Sequence, residues 1–464
     1  MEAAPRSSGG GAIADYFKFA ERGTTMATEV RGGLTTFMVM VYIVFVNSSI
    51  LSAGFGLDAA GATAVSAATA LIAGIMTIAM GVVANYPFAL AAGLGINAIV
   101  AFGLTARGLT PEGAMGVIVL EGLAVLILVL VGFREAVMNA IPLSLKRAIG
   151  AGIGLFILFI GLFNGGIIVS TGATPYGETS GPALAPAFPT EPGQFVFLIG
   201  LLLTAVLWAR RIKAALVISI LVTTIIALVA GVASVPGTFS VLPTADTFST
   251  LGAFDLTNVF SLGLLTALLI IFSIMLVDFF DTMGTVTGVA AEAGLANEDG
   301  SVPGAGRVLL VDSVAAAVGG LGGVSSNTTY IESAAGVAEG ARTGFASVVT
   351  GVLFLLAIFL APLAGIIPGQ ATAPALVLVG FLMFAQVRDI KVDSFEDGFP
   401  ALLTIILMPL TYEISPAIGA GFITWVLIKV ARGKVSEIHP LMWVVSVAFL
   451  VYWLQAWIEP YLPK

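Results

Sequence analysis

Apolar segments long enough to cross a membrane recur from one end of this chain to the other. A spanning helix needs about 20 mostly apolar residues, and all of its backbone polar groups must be satisfied internally. Only 10% of the 464 residues are charged, whereas a soluble domain carries about 25%. The sequence therefore predicts an all-α polytopic membrane protein. Regular candidate spans lie at 32–51, 63–85, 112–132, 148–168, 194–209, 214–233, 261–290, 344–367, 373–387, 398–412 and 415–431.

Two further apolar segments are less regular. One is YPFALAAGLGINAIVAFG at 86–103, and the other runs from 307–323 into the polar stretch SSNTTYIESAAG at 325–336, which we count as two passes. The total is then about fourteen spans. The Trp-rich stretch 441–457 is either an additional span or a helix lying at the membrane interface, where Trp is favoured.

The distribution of basic residues gives the orientation. With a cytoplasmic N-terminus and this number of spans, every Lys and Arg between the first and last spans lies on the inner side, except Arg107. Cytoplasmic loops of membrane proteins are enriched in Lys and Arg. The sequence therefore predicts that both termini are cytoplasmic.

The chain also has a doubled pattern. In the first half NYPFALA leads into the Gly-rich AGLGINAIVAF, and in the second half GGVSSNTT leads into YIESAAGVAEG. Paired interrupted segments at corresponding positions indicate a transporter site near the bilayer midplane. The alternative is a pair of kinked packing helices whose small residues permit close approach. The polar residues in both segments favour the transporter site.

Acidic residues within the spans are the strongest functional candidates. Asp278 and Asp281 are three residues apart, so we expect both on one helix face, which Thr285 continues. An acid at the bilayer centre costs about 2.5–3.5 kcal/mol and normally marks a substrate or ion path. The span 261–290 contains no Lys or Arg to pair with either one. The alternative is that one of them binds free N–H groups of a broken helix.

Glu332 lies where the second half-helix begins, and Asn97 occupies the corresponding half-helix of the first repeat. The positive end of a helix dipole favours a carboxylate. Together with the two aspartates, these groups form a plausible clamp for a small planar molecule with N–H donors. Glu121 and Asp312 also lie within spans, and we expect them to be structural acids that pair with backbone of the broken segments.

The composition excludes several kinds of protein. The chain has no cysteine, so thiol chemistry and Cys-based metal sites are absent, and its one histidine, His439, lies in a polar stretch. A net charge of −8 argues against nucleic acid as a partner. The N-terminal stretch lacks a cationic start followed by an apolar run, so no cleavable signal peptide is expected.

Two rival classes also use membrane-buried polar groups. An intramembrane aspartyl protease takes its two aspartates from two helices, one within a Gly-x-Gly-Asp element, whereas here both share one span and that element is missing. An anion transporter prefers a cationic or neutral group where a half-helix begins, and Glu332 disfavours an anion there. A transporter of an uncharged or cationic solute, and not an enzyme, fits better.

Successive motifs resemble those of the azaguanine-type purine permeases. The resemblance begins at RGTTMATEVRGGLTTFMVMVYIVFVNSSIL and continues through YPFALAAGLGINAIVAF, VDFFDTMGTVTGVA and SNTTYIESAAGVAEGARTGFASVVTG to DGFPALLTIILMPLTYEISPAIGAGF. It covers about residues 19–445. The NTTYxE element is shared more widely with uracil and xanthine permeases, whereas DFFDT and GLGINA point to the azaguanine-type branch.

This resemblance implies fourteen helices in two inverted repeats of seven, with a short strand in spans 3 and 10. Spans 1–4 and 8–11 would form a core domain, and spans 5–7 and 12–14 a gate domain. In this chain the N-terminal segment is 1–31, the core domain comprises 32–132 and 261–367, the gate domain comprises 133–233 and 373–431, and the C-terminal segment is 432–464.

The resemblance also assigns residues. Asn97, Asp278 and Glu332 match the substrate-binding positions, and Asp281 matches an acid needed for transport. Tyr330 and Ile331 would contact the base beside Glu332, the latter through its backbone. The extended piece 325–329 is expected to pair with residues near Phe88 and Ala89, which adds Phe88 and Thr329 to the candidate binding residues.

The activity implied is import of adenine, guanine or hypoxanthine by proton symport through an elevator-type movement, in a multi-pass protein of the cell membrane. A buried carboxylate takes up a proton more readily than one in water, so Asp281 or Glu332 is the expected coupling group. Sodium stays open as the coupling ion, and uracil or xanthine as the substrate. No cofactor or metal is expected, and the resemblance suggests a homodimer through the gate domains.

Overall fold

The computed structural model describes residues 11–132, 140–171, 184–235, 242–297, 302–411 and 414–454. Its first half contains the elements α1 (Ala12–Tyr16), α2 (Met26–Met40), α3 (Tyr42–Phe55), α4 (Ala59–Ala79), β1 (Leu90–Ala92), α5 (Leu94–Ala98), α6 (Pro111–Leu130), α7 (Leu143–Asn164), β2 (Ile168–Ser170), β3 (Leu184–Pro186), α8 (Pro192–Ala209) and α9 (Ala215–Val229).

The second half repeats this helical character. Its elements are α10 (Leu256–Val259), α11 (Leu264–Glu292), α12 (Ala305–Leu321), β4 (Asn327–Thr329), α13 (Ser333–Ala338), α14 (Gly344–Ala357), α15 (Gly369–Phe384), α16 (Phe395–Thr411), α17 (Ile414–Ala431) and α18 (Pro440–Trp453).

Within the described ranges, nine helices are long and apolar enough to cross a membrane. The first of them joins α2 and α3 into one helix, Met26–Phe55, and the longest single element is α11. The apolar helices α9 and α18 are shorter. The predicted fold class, a polytopic all-α membrane protein, is confirmed.

The helices begin where the sequence offers a cap. Thr110 accepts a hydrogen bond from the Gly113 backbone N–H at 3.1 Å, and Pro111 occupies the first turn of α6. Asp58 accepts one from the Gly61 N–H at 2.9 Å at the start of α4. Ser, Thr and Asp are preferred caps because their side chains satisfy N–H groups that lack partners within the helix.

The two interrupted segments meet as a buried pair of antiparallel strands. Leu90 of β1 lies opposite Thr329 of β4, and Ala92 lies opposite Asn327. One bond continues the ladder beyond each end of β1, from the Gly93 N–H to the Ser326 carbonyl at 2.8 Å and from the Tyr330 N–H to the Ala89 carbonyl at 2.9 Å. The predicted extended pieces therefore pair, centred about two residues after Phe88 and Ala89. Pairing satisfies backbone groups that lipid or protein interior would leave without partners.

Each strand leads into a short helix. Gly93 precedes α5, which continues as a wider turn to Leu104, and Glu332 precedes α13. Since the two strands are antiparallel, the half-helices begin at the two ends of one short buried ladder. The corresponding positions in the two halves of the chain are thus brought together, as the doubled pattern predicted.

Glycines permit the close helix packing around this ladder. A Cβ at Gly122 of α6 would lie 2.3 Å from the backbone nitrogen of Ala317 in α12, and one at Gly319 would lie 2.1 Å from the Ser325 carbonyl oxygen. Small residues allow backbones to approach this closely in membrane bundles. The result is that α6, α12 and the strand β4 form one tightly packed unit.

Most of the helices pack in two sets. One set contains α2–α6 and α11–α14, in which α6 packs on α12 and α14 packs on α2 and α4. The other contains α7–α9 and α15–α17, in which α7 packs on α15 and α16. We call them the core helices and the gate helices. Contacts between the two sets are fewer, and they leave a cavity, described below.

Two polar contacts join the core helices to the gate helices. Ser49 of α3 and Thr372 of α15 share a hydrogen bond at 2.7 Å near the ends of their helices. At the opposite end, Lys213 between α8 and α9 pairs with Glu339, which directly follows α13. Arg31 of α2 also pairs with Glu339, at 3.1 Å. The two sets therefore touch at both ends of the bundle.

The C-terminal helix α18 runs antiparallel to α17. At one end Lys429 bonds Glu437, just before α18, at 2.5 Å. Toward the other end the rings of Phe422 and Phe449 meet edge to face at 6.1 Å. The α18 helix therefore stands beside α17 instead of lying across its end.

A second strand pair, β2–β3, was not predicted from the sequence; in it Ile168 lies opposite Pro186. It lies in the long connection between α7 and α8, on the side that the charge pattern assigns to the exterior.

Candidate functional site

A cavity of about 480 Å³ lies between the core helices and the gate helices. The core side contributes α11 and the segment before α13, and the gate side contributes α7 and α15. A narrower recess of about 70 Å³ continues from the cavity toward α3 and α5. The residues shared by cavity and recess are Asp281, Thr285, Ile331, Glu332, Val379 and Met383.

The helix α11 presents Asp281 and Thr285 to the cavity, with the exposed Gly284 between them. Asp278 is different, because it is fully buried, where the Ser326 hydroxyl donates to it at 3.4 Å and Glu121 lies beside it. The two aspartates are neighbours on α11, but of the two only Asp281 lines the cavity. A helix turns by about 100° per residue, so a spacing of three leaves the side chains about 60° apart. Here that angle separates a cavity-lining acid from a buried one.

Glu332 lies directly before α13 and borders the cavity, as its position in the motif predicted. The phenol of Tyr42, in α3, donates a hydrogen bond to Glu332 Oε1 at 2.7 Å. Sequence analysis missed Tyr42. A signal was present, since a tyrosine inside the apolar run MVMVYIVFV has a hydroxyl that needs a buried partner.

The residues preceding Glu332 connect the cavity to the strands. Ile331 is 55% exposed and its side chain borders the cavity, whereas the resemblance implied a contact through its backbone. Thr329 and Tyr330 line the recess. The Tyr330 hydroxyl donates to the Ala92 carbonyl, which ties the second interrupted segment to the first.

Asn97 and Phe88 are fully buried and do not line the cavity or the recess. Phe88 stacks on Tyr86 with ring centres 4.9 Å apart, and this apolar packing accounts for its burial. Neither amide atom of Asn97 has a hydrogen-bond partner within the described part of the chain. Of the predicted binding residues, Ile331 and Glu332 therefore line the cavity and Thr329 and Tyr330 line its recess, whereas Asn97, Phe88 and Asp278 line neither.

Three acids are buried behind the cavity. Asp312 accepts hydrogen bonds from the Thr329 N–H at 3.0 Å, the Thr329 hydroxyl at 2.8 Å and the Thr282 hydroxyl at 2.7 Å. The prediction that it pairs with backbone of a broken segment is confirmed. Glu121 lies beside Asp278 and Asp312, and no backbone N–H within the described residues donates to its carboxylate. Its predicted backbone pairing is therefore not seen.

Comparison with known proteins identifies the family of this chain. The family model Xan_ur_permease, described as "Permease family", matches residues 27–419. The chain belongs to the xanthine–uracil permease family. The guanine/hypoxanthine permease PbuG of Bacillus subtilis (strain 168) is 42% identical over 448 residues, which cover 95% of this chain and 99% of PbuG. The adenine permease AdeP of Escherichia coli (strain K12) is 40% identical and covers 96% of this chain and 97% of its own length.

The fold recurs in solved structures. The transmembrane domain of the cyanobacterial bicarbonate transporter BicA superposes with a TM-score of 0.58 at 15% identity, covering 85% of this chain and 96% of that domain. The structure of SLC26A9 gives the same score at 11% identity, covering 91% of this chain and 67% of that one. At such low identity the likeness concerns the fold alone.

The two walls of the permease's cavity differ in chemistry. The gate helices contribute the apolar side chains of Ile149, Ile153 and Val379, and the core helices contribute carboxylates. Ligand sites are typically apolar clefts of about 300–1,000 Å³ in which a few polar groups set the orientation. This cavity therefore has the size and the mixed lining of a small-molecule site.

The cavity extends toward one end of the bundle. Lys146 and the exposed Gln386 line it there, beside Arg147 and Arg388 in the sequence. This is the basic end of the protein. Across the described ranges, no group of three His, Cys, Asp or Glu side chains could hold a metal ion.

Proposed function

We propose that this permease imports purine nucleobases, namely adenine, guanine or hypoxanthine, by proton symport. The observation that carries the proposal is the Glu332 carboxylate, held where a half-helix begins and bordering a cavity. A purine offers ring and amino N–H groups, which donate to a carboxylate. Hydrogen bonds with one charged partner are roughly twice as strong as neutral ones.

The rest of the cavity complements a flat aromatic ring. Glu332 would accept from one edge of the base, and Ile331 would lie against it on the core side. Ile153 and Val379 would cover it from the gate helices, since all four residues line the one space. Asn97, Phe88 and Asp278 stay predictions of the family resemblance, because they would meet the base only after a rearrangement.

The names of the similar proteins support the same class of substrate. PbuG is named a guanine/hypoxanthine permease and AdeP an adenine permease. The alternative substrate is uracil or xanthine, since the NTTYxE element does not separate the branches. An anion is disfavoured, because Glu332 would repel it at short range.

We propose that the coupling proton binds at Asp281 or Glu332. Asp281 borders the cavity, interacts electrostatically with Glu332 and lies next to the buried acids. A proton that enters with the base would reduce repulsion between the two carboxylates while the site is closed to water. Sodium is the alternative ion.

The two packing sets support an elevator movement. We propose that 32–132 and 261–367 form a core domain that moves against a gate domain of 133–233 and 373–431. The cavity lies at the boundary between the two domains, and the movement would break few contacts between the core helices and the gate helices. The dimer through the gate domains stays a prediction.

We further propose that the basic end of the bundle faces the cytoplasm, in agreement with the positive-inside rule. The N-terminal segment and the open end of the cavity would then be on the inner side of the cell membrane. The cytoplasmic C-terminus stays a prediction; α18 starts beside Lys429 at the basic end and runs antiparallel to α17.

Uptake into proteoliposomes tests the proposal. Radiolabelled adenine, guanine, hypoxanthine, xanthine and uracil would be offered with and without an inward proton or sodium gradient. We expect proton-driven purine uptake that Glu332→Gln abolishes and that Glu292→Gln, at the exposed end of α11, preserves. Uptake of uracil or xanthine instead of a purine would refute the proposed substrate. If no base is taken up, the proposed function is refuted.

A further inference from the structure

Tyr42 of α3 contacts the carboxylate of the proposed binding site. It is the first residue of α3, immediately after the irregular turn at Val41 that separates α3 from α2. Its side chain is fully buried within an apolar cluster, yet its ring lines the recess and its hydroxyl reaches Glu332. Burying a hydroxyl in apolar packing costs free energy unless the hydroxyl forms a hydrogen bond.

The contact has the length of a well-formed hydrogen bond. At 2.7 Å it lies within the usual range for O–H···O bonds, about 2.5–3.0 Å. The bond engages Oε1 of Glu332. The carboxylate, which is partly exposed in the cavity, can then turn Oε2 toward a ligand.

The other tyrosine in the recess does not take this role. Tyr330 lies in the same recess, but its hydroxyl already donates to the Ala92 carbonyl. The backbone N–H groups that follow Glu332 continue into the turn of α13, where the Ala335 N–H bonds the Glu332 carbonyl at 2.9 Å. Among the side chains that the structure describes around this recess, Tyr42 is the one that donates to the Glu332 carboxylate.

We propose that Tyr42 is a positioning residue that sets the affinity of the permease for its nucleobase. Its hydroxyl orients the Glu332 carboxylate, so that Oε2 meets the base as an acceptor. The inference rests on the proposed function, because it assigns Tyr42 to the same binding site. It places the affinity-setting group on α3, away from the acidic and NTTYxE motifs.

Equilibrium binding of radiolabelled hypoxanthine to the purified, full-length permease tests the inference. Removing a hydrogen bond to a charged group weakens binding by about tenfold or more, so Tyr42→Phe should raise the dissociation constant by that factor. Tyr86→Phe is the matched control. Its buried hydroxyl donates to the Pro303 carbonyl at 2.6 Å, away from the cavity, and its loss should leave affinity unchanged.

A double-mutant cycle separates positioning from a general structural effect. If Tyr42 acts through the carboxylate, Tyr42→Phe should have little further effect once Glu332→Ala, which removes the acceptor, is present. If Glu332→Ala binds too weakly to measure, the same cycle is run on the thermal unfolding midpoint without base, where we expect the two changes to be non-additive. Equal effects of Tyr42→Phe in both backgrounds would overturn the inference.

Failure of the inference differs from failure of the proposed function. If the wild type binds hypoxanthine and Tyr42→Phe binds it equally well, only the role of Tyr42 is refuted. If the wild type binds no purine, the proposed function is refuted first. The cycle on unfolding midpoints then still decides whether Tyr42 and Glu332 act as a pair.

Discussion

Asp312 offers a quantitative test of how the strand pair is held. Its two carboxyl oxygens accept from the Thr329 N–H, the Thr329 hydroxyl and the Thr282 hydroxyl, at 3.0, 2.8 and 2.7 Å. Asp312→Ala removes all three acceptor contacts. The hydroxyls can rotate toward other acceptors, but the Thr329 N–H belongs to the strand backbone and cannot. A buried N–H without an acceptor costs about 1–3 kcal/mol.

Two lost hydroxyl bonds add about 1 kcal/mol each. The expected destabilisation by Asp312→Ala is therefore about 3–5 kcal/mol. Asp312→Asn keeps one oxygen for Thr329 and presents an amide to the Thr282 hydroxyl, which can accept instead of donating. Its cost should be near 1 kcal/mol, the usual contribution of one hydrogen bond.

The thermal unfolding midpoint of the purified protein in detergent ranks these variants. We expect Asp312→Ala to have a midpoint well below that of Asp312→Asn, with Asp312→Asn slightly below the wild type. Asp58→Asn, which alters only the exposed cap of α4, is the control. Equal midpoints for the alanine and asparagine variants would refute the view that an acceptor for the strand N–H is what matters.

Three further predictions concern coupling, topology and the contact between the two helix sets. Asp281→Asn should abolish proton-driven accumulation in proteoliposomes while exchange of labelled for unlabelled base persists; unchanged accumulation would contradict its coupling role. Because α18 stands antiparallel to α17, single cysteines at Leu454 and at Ala20 should react with an impermeant maleimide from opposite faces of the membrane, and labelling from one face would refute this. Lys213 holds the pKa of Glu339 below its ordinary value of 4.5, so the pair is intact above that pH and is lost on further acidification. Lys213→Ala should therefore lower the unfolding midpoint slightly at pH 7, and this difference from the wild type should vanish as the pH falls below 4.5.

Much of the fold was predictable because lipid imposes strong constraints on sequence. Long apolar segments became helices, and the two Gly- and Pro-containing interruptions became paired strands with half-helices behind them. Glu332 was also placed correctly, since its position at the start of the half-helix follows from local sequence. These features depend on the order of residues within one segment, which a sequence displays directly.

The details of the site depended on contacts between segments, which local sequence does not display. The spacing of Asp278 and Asp281 predicted the angle between their side chains on α11, but not which of the two side chains faces the cavity. Tyr42 lies 290 residues from Glu332 in the chain, so the local sequence around either residue could not predict their hydrogen bond. The apolar gate wall of Ile153 and Val379 likewise became visible only when α7 and α15 were placed opposite α11.

The most direct test of the central claim asks whether a base occupies this cavity. Because the chain contains no cysteine, Ile331→Cys would carry the only thiol, at a cavity residue that is 55% exposed. Saturating hypoxanthine should slow its labelling by a hydrophilic maleimide, while Glu292→Cys, at the exposed end of α11, should label at an unchanged rate. Unchanged labelling at position 331, under conditions where hypoxanthine is shown to bind, would place the base elsewhere and contradict the proposed site.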